Sequence, residues 1–141
     1  MANIRDILIE KINNSYWWHV PPRDPEAYKK RGRFLASTFL QAEFYGRPND
    51  EPEKVNVKNP IFGFSELEIL EKLFGKRKRK GYLNQILNTK NFYEARIDLD
   101  AKIYEKAKEF SFDAVVLMTQ QGEKALLKGR KPSSIELNLI I

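Results

Sequence analysis

The spacing of apolar residues at the start of the chain predicts a helix. Ile4, Ile7, Leu8 and Ile12 fall on one face of a 3.6-residue repeat, and most of the charged residues between them fall on the other faces. The pattern predicts an amphipathic helix over about Asn3 to Ile12. Its apolar face is expected to cover the core.

An aromatic and β-branched stretch follows. Tyr16 to Val20 is stopped by Pro21-Pro22, which cannot donate to a strand ladder, so the stretch predicts a short strand with His19 near its end. Asp24-Pro25-Glu26 then gives an N-cap, a proline at the first helical position and a first-turn acid, and Gly32 follows a basic last turn. A short helix is expected between these two signals.

The next stretch predicts a strand that runs almost directly into a helix. Arg33 to Ser37 is the expected strand. Thr38, followed by Gln41 three residues later, has the pattern of a capping box, and Gly46 is the expected end of the helix.

The middle of the chain contains one further strand and helix. A short strand is predicted over Lys54 to Lys58, closed by Asn59-Pro60. Ser65 and Glu68 form a second capping box, and the helix that they start is expected to end at Gly75. Its predicted apolar stripe consists of Leu67, Leu70, Leu73 and Phe74.

The last third predicts a helix, two strands and a loop. A short helix is expected between Gly81 and Tyr93. A longer helix, capped by Asp98 or Asp100, is expected to run to about Phe110, with Ile103, Ala107 and Phe110 facing inward. The continuous apolar run from Ala114 to Met118 predicts a strand buried on both faces. The basic segment Gly122 to Lys131 is expected to be flexible. Alternating apolar residues predict a final strand from Ile135 to Ile141.

The order of these elements favours an α+β fold without a regular βαβ repeat. At 141 residues we expect a single domain, with a mixed, mostly antiparallel (split) sheet and several flanking helices. No cysteine and one histidine exclude a disulfide framework, a thiolate nucleophile and a cysteine-ligated metal, and no metal site is expected. Charges near the N-terminus argue against a signal peptide, and no apolar stretch has transmembrane length, so a cytoplasmic protein is expected.

The charge balance favours polyanionic partners. The chain has 25 basic and 19 acidic residues, a formal net charge of +6. Five successive basic residues form the strongest run, Lys76, Arg77, Lys78, Arg79 and Lys80. Alone, such a run is usually a solvated loop. Together with later basic residues and nearby aromatic side chains that can stack on bases, it also fits a non-enzymatic nucleic-acid-binding protein; these residues are Lys124, Lys128, Arg130, Lys131, Tyr82, Phe92 and Tyr93.

A second set of residues suggests a nucleotide pocket. His19 is either a packed core histidine or a hydrogen-bonding partner for a ribose hydroxyl. Phe34 and its aromatic neighbours are either core or the wall of a pocket. Ser37 and Thr38 lie at the strand-to-helix turn, where free backbone N–H groups favour an anion, and Tyr45 is placed to stack on a heterocyclic ring.

These residues and motifs resemble those of the ADP-ribosyltransferase superfamily, whose enzymes bind NAD in a split-sheet α+β fold and break the nicotinamide–ribose bond. By that resemblance His19 holds the adenosine-side ribose, and Phe34, Ser37, Thr38 and Tyr45 form the second motif, with Tyr45 stacking on nicotinamide. Glu136, in Ser134-Ile135-Glu136-Leu137, matches the catalytic acid.

The resemblance implies that NAD is the substrate and that Glu136 orients the ribose and stabilises an oxocarbenium ion. Glu136 also fits an outward-facing glutamate on an edge strand. Glu123, Gln120 and Gln121 remain alternatives for the acid, and an inactive, binding-only relative fits the same motifs. The sequence therefore leaves two main functions open, NAD-dependent ADP-ribosyl transfer to an unknown acceptor and nucleic-acid binding. A protein-interaction module with no small-molecule site is a third alternative, and the sequence does not give the oligomeric state.

Overall fold

The computed structural model describes residues 3–21, 31–43, 46–75, 92–130 and 134–140. Their helices are α1 (Ile4–Asn13), α2 (Phe39–Glu43), α3 (Glu66–Phe74), α4 (Phe92–Glu109) and α5 (Gln120–Leu127). Their strands are β1 (Trp18–His19), β2 (Arg33–Ala36), β3 (Pro60–Gly63), β4 (Ala114–Met118) and β5 (Ile135–Leu139).

Within the described residues the strands form one sheet of five, in the order β1-β2-β5-β4-β3. β1 pairs with β2, β2 with β5 and β5 with β4, all antiparallel, whereas β3 and β4 are parallel. The parallel pair needs a crossover, and α3 and α4 lie in the chain between its two strands. The predicted α+β class with a mixed, mostly antiparallel sheet is confirmed.

Each face of the sheet carries its own apolar core. The first core lies between α1 and α5 and one face of the sheet, which we call the first face. It contains Leu8, Ile12, Trp17, Leu35, Val57, Ala114, Val116, Met118, Leu126, Ile135 and Leu137. The second core lies between α3 and α4 and the other face, the second face, and it contains Ile61, Ile69, Leu70, Leu73, Leu99, Ile103, Ala107 and Val115. Successive residues of β4 alternate between the two cores, which confirms that this strand is buried on both faces.

Several predicted helix signals are confirmed. Gln41 N donates to Thr38 Oγ1 (3.1 Å) at the start of α2. α1 lies where it is predicted, and it begins at an N-cap that was not predicted, Asn3, whose side chain accepts from Asp6 N. Glu68 N donates to Ser65 Oγ at the start of α3, which ends at Gly75 with a positive φ. Within the predicted stripe of α3, Leu70 and Leu73 are buried but Leu67 is exposed, and Ile69 takes its place in the core.

The predicted strand over Lys54 to Lys58 is wrong, because β3 begins at Pro60. Side chains bond the backbone of the last residues of this segment, Val57 and Lys58. The Asn13 amide bonds both Val57 N (2.7 Å) and Val57 O (2.9 Å). The Asp113 carboxylate accepts from Lys58 N (2.6 Å) and Asn59 N (2.9 Å). The segment is therefore a loop fixed by two polar side chains.

Three further expectations are corrected. Asp98 and Asp100 do not cap α4, which begins at Phe92, and Phe110 is exposed rather than inward. Most of the segment expected to be flexible, Gly122 to Lys131, is helical, because α5 runs to Leu127. The N-cap of α5 is Thr119, whose Oγ1 accepts from Gly122 N (2.9 Å). Apolar side chains of α5 pack in the first core, and this tertiary packing stabilises the helix. Its glycine and basic residues gave the segment the composition of a loop, so the sequence did not predict a helix there.

The strand predicted over Tyr16 to Val20 is shorter in the structure, where only Trp18 and His19 pair with β2. The helix predicted after Asp24 and the short helix predicted from Gly81 fall outside the described residues, apart from their last residues. Among the helices that the structure describes, none combines the length and the apolar character needed to cross a membrane.

Candidate functional site

A cavity of about 70 Å³ lies on the second face of the sheet, between β2, β5 and β4 on one side and α3 and α4 on the other. We call it the carboxylate pocket. Its floor is apolar, and the side chains that give it chemical character are Phe34, Glu66, Arg96, Asp100, Glu136 and Asn138.

The strand register explains why the sheet residues of the carboxylate pocket meet. Phe34 pairs with Asn138, and Glu136 lies two residues before Asn138 on the same strand. Side chains of paired residues, and of alternate residues in one strand, project from the same face. All three therefore stand on the second face, and the aromatic side chain of Phe34 is 44% exposed beside the cavity.

Arg96 connects the two helices that cover this face. Its Nη1 lies 2.6 Å from each carboxylate oxygen of Glu66, the first residue of α3. Its Nη2 donates to Asp100 Oδ1 (3.0 Å), four residues later on α4. Arg96 and Asp100 are thus neighbours on one helix face, and the guanidinium holds carboxylates from two different helices.

Burial raises the pKa of Asp100 to about 6. The Arg96 guanidinium and Arg31 act in the opposite direction and favour the ionised form, whereas the charge of Glu66 adds to the increase. Burial lowers the pKa of Arg96, but the two carboxylates together hold it above its ordinary value. A carboxyl group that titrates near neutral pH can take up or release a proton under working conditions, which is what a general acid or base requires.

Glu136 lies in the carboxylate pocket but not on an edge strand. β5 stands between β2 and β4, and Glu136 pairs with Ala36 on one side and Leu117 on the other. Its side chain is half-buried. The edge-strand interpretation of Glu136 is therefore wrong, and protection of a sheet edge does not account for a glutamate at this position.

His19 lies on the opposite face of the sheet from Glu136. It pairs with Leu35, whose side chain belongs to the first core, and it is only 3% exposed. Its Nδ1 is 2.8 Å from the Phe34 carbonyl oxygen, which can only accept, so Nδ1 carries the proton. Burial lowers the pKa of His19, and the positive charge of Arg33 lowers it further. The hydrogen bond to the Phe34 carbonyl oxygen acts in the opposite direction and raises it. The structure does not bring His19 and Glu136 into one site.

The hydroxyl groups at the strand-to-helix turn take part in structural bonds. Ser37 is buried, and its Oγ donates to Gln41 Oε1 (2.9 Å) and accepts from Ile135 N (3.2 Å). Thr38 caps α2. These bonds link α2 and β5 to the end of β2. A role of Ser37 and Thr38 in binding an anion stays a prediction.

Other predicted site residues fall elsewhere. Tyr45 and the run from Lys76 to Lys80 lie outside the described residues. Glu123 belongs to α5, which packs on the first face, away from the carboxylate pocket. Lys124, Lys128 and Arg130 are exposed on α5 and directly after it. Nucleic-acid binding stays a prediction.

Sequence reasoning missed four residues of the carboxylate pocket, Glu66, Arg96, Asp100 and Asn138. Two signals for them were present in the sequence. Glu136 and Asn138 are polar residues at alternate positions of an otherwise apolar strand, and Arg96 and Asp100 have the i, i+4 spacing of a helix ion pair. Neither signal shows that the strand and the helix face each other.

No protein-family model, curated protein or solved structure matches this chain. Within the described ranges, no three histidine or acidic side chains are grouped in a way that could hold a metal ion. The carboxylate pocket is instead an aromatic-walled cavity with several hydrogen-bond acceptors and one guanidinium.

Proposed function

We propose that this protein is a small-ligand-binding domain and that the carboxylate pocket is its binding site. One observation carries the proposal, namely that polar and aromatic side chains of β2 and β5 meet charged side chains of α3 and α4 around one cavity. Ligand sites typically combine an apolar lining with a few convergent polar groups of perturbed pKa.

The volume of the cavity limits the size of the ligand group that it can hold. A volume of about 70 Å³ is small beside the cavities that hold drug-sized ligands. The pocket therefore holds one chemical group of the ligand, and the remainder extends past the exposed ring of Phe34.

The test is a titration of ¹⁵N-labelled protein with a panel of small polar ligands that includes NAD, nicotinamide and ribose. We expect saturable shifts of the backbone amide signals of Glu136, Asn138 and Arg96. Phe34→Ala removes an aromatic wall and is expected to weaken binding roughly tenfold. Phe110→Ala is the matched control, because Phe110 is equally exposed but lies outside the carboxylate pocket. Equal affinities of the two variants would contradict the proposal.

A second candidate is ADP-ribosyl transfer from NAD, with Glu136 as the acid. The observation that favours it is that two residues of the predicted motifs, Phe34 and Glu136, line the same cavity. His19 takes no part in this version of the site. A carboxylate beside the ribose 2′-hydroxyl would orient the sugar and stabilise the positive charge that develops as the nicotinamide bond breaks.

Nicotinamide release from NAD, with water as the acceptor of the ADP-ribosyl group, tests this candidate. Glu136→Gln keeps the shape of the side chain and removes its charge, so we expect release to fall on the order of 100-fold. Glu123→Gln, on the other face of the sheet, should leave release unchanged. Equal rates for the Glu136 variant and the original protein would remove Glu136 from the mechanism and leave ligand binding as the proposal.

A further inference from the structure

The outer surface of α5 is basic. Lys124 and Lys128 on this helix, and Arg130 directly after it, are exposed, and we call these three residues the α5 basic face. Between Gln120 and Arg130 the chain has one acidic residue, Glu123, which is half-buried. α3, on the other face of the sheet, has the opposite balance, with three acidic residues and one basic residue.

The cations of the α5 basic face are available to a partner. Among the described residues none of the three takes part in an ion pair. Three cations of α3 and α4 on the second face, by contrast, are bonded to carboxylates, namely Lys72, Arg96 and Lys106. A phosphate that binds a paired cation must displace its carboxylate, whereas one that binds an unpaired cation displaces only water and small counterions.

The helix holds these cations in a fixed arrangement. Lys124 and Lys128 are four residues apart, so their side chains leave one face of α5 about 6 Å apart along its axis. Gly129 has a φ of +71°, and after it Arg130 N donates back to the Ala125 carbonyl oxygen (2.9 Å). This bond keeps Arg130 beside the last turn of α5. A nucleic-acid duplex carries one phosphate charge per about 1.7 Å of its axis, so cations at this spacing meet phosphates along the backbone.

The rest of the α5 surface favours a nucleic acid over a membrane or a protein. Leu126 is buried and Leu127 packs against the first core, so α5 has no free apolar face that could enter a bilayer. No large apolar side chain of α5 is exposed, whereas protein interfaces are built around an apolar and aromatic centre. α5 also contains no aromatic residue that could stack on bases. Cations without apolar or aromatic neighbours fit contacts to phosphates, which carry no sequence information.

We propose that the α5 basic face binds the phosphate backbone of a nucleic-acid duplex without reading its base sequence. The site belongs to the first face of the sheet, whereas the carboxylate pocket belongs to the second. The inference is therefore independent of the proposed ligand-binding function. The run from Lys76 to Lys80 is not part of the site.

The experiment measures how salt weakens binding. Fluorescently labelled DNA duplexes of about 20 base pairs, in two unrelated sequences, are titrated with the protein between about 50 and 200 mM sodium chloride and followed by anisotropy. Each cation that neutralises a phosphate contributes about 0.9 to the slope of log affinity against log salt concentration. The triple variant Lys124→Gln, Lys128→Gln, Arg130→Gln is therefore expected to reduce the slope by about 2.7, and both sequences should bind alike.

Two results of this titration would overturn the inference. The first is an unchanged slope in the triple variant, which would show that the three cations do not meet phosphates. The second is the absence of saturable duplex binding by the original protein at the lowest salt concentration. Because the three side chains are exposed, the variant is expected to keep the circular dichroism spectrum and the urea midpoint of the original protein.

A matched variant separates a site from the overall charge. Lys102→Gln, Lys106→Gln and Lys108→Gln together remove the same charge from α4 and should keep the slope of the original protein. Equal reductions in both triple variants would indicate attraction to the whole protein and overturn the inference. Lys124→Arg combined with Lys128→Arg keeps the charge and should keep the affinity, and a loss of affinity there would contradict contact through charge.

A membrane is the alternative polyanionic surface. Vesicles of phosphatidylserine and phosphatidylcholine are titrated under the same conditions, and we expect them to bind more weakly than the duplex. Tighter binding to the vesicles than to the duplex, lost in the α5 triple variant, would assign the α5 basic face to a membrane and overturn the inference.

Discussion

At the scale of single residues, Gly32 shows how a backbone position supports the pocket. Gly32 has a φ of +84°, and a Cβ there would lie 2.5 Å from the Leu139 carbonyl oxygen and in collision with Asn138 Oδ1. The absence of a side chain lets Asn138 lie against the backbone that enters β2. The positive φ and the close approach both require glycine.

Gly32→Ala is therefore expected to lower the free energy of unfolding by about 3 kcal/mol or more, since a left-handed alanine costs about 1–2 kcal/mol and the collision adds to it. Gly129→Ala is the control, because Gly129 also has a positive φ (+71°) but has no atom within 4 Å of an added Cβ. It should cost only about 1 kcal/mol. Urea unfolding measures both, and equal losses would show that the collision has no effect.

At the scale of elements, polar side chains decide where strands begin. The segment before β3 has the composition of a strand, but Asn13 and Asp113 bond its backbone groups and pairing starts only at Pro60. Asp113 directly precedes β4, the parallel neighbour of β3. Its carboxylate therefore fixes the start of β3 relative to β4.

We expect Asp113→Ala to lower the free energy of unfolding by about 2 kcal/mol, because two backbone N–H groups lose their acceptor. Loss of amide protection from hydrogen exchange should be greatest at Lys58 and Asn59. Asp50→Ala, at an exposed loop position, should change the free energy of unfolding by no more than about 0.5 kcal/mol and should leave the amide protection of Lys58 and Asn59 unchanged. A variant with unchanged protection at Lys58 and Asn59 would show that Asp113 does not hold this loop.

At the scale of the whole molecule, the carboxylate pocket makes stability depend on pH. The folded protein holds the Asp100 proton up to about pH 6, whereas the ordinary pKa of an aspartate is 3.8. The folded state binds this proton more tightly than the unfolded state, so the contribution of Asp100 to stability is greatest below pH 3.8 and is lost as the pH rises through 6. A pKa that differs by one between the folded and unfolded states corresponds to about 1.4 kcal/mol of stability.

Asp100→Asn should abolish this dependence, because the amide does not titrate. As the pH rises from the ordinary aspartate pKa of 3.8 through 6, the free energy of unfolding of the original protein is expected to fall relative to that of the variant. Denaturant unfolding across that range measures it, and Asp98→Asn, exposed on the same helix, should follow the original protein at every pH. Parallel curves for Asp100→Asn and the original protein would contradict the assignment.

Local sequence signals determined much of this protein by themselves. The caps at Thr38 and Ser65, the apolar run of β4 and the alternation of β5 depend on neighbours within a few residues, and the structure confirms each of them. The same alternation placed Glu136 on the face opposite Leu137. These features are predictable because helix caps and strand alternation follow from local backbone geometry.

Only the tertiary structure decided which face each candidate residue occupies and what it meets there. β5 lies between β2 and β4, and the register of these pairs puts Glu136 and Asn138 beside Phe34 while His19 is buried on the other face. The bonds from Arg96 to Glu66 and Asp100 likewise depend on how α3 and α4 pack. Pairing between strands distant in the chain sets these positions, and a shift of one residue in register would exchange the two faces, so no local pattern specifies them.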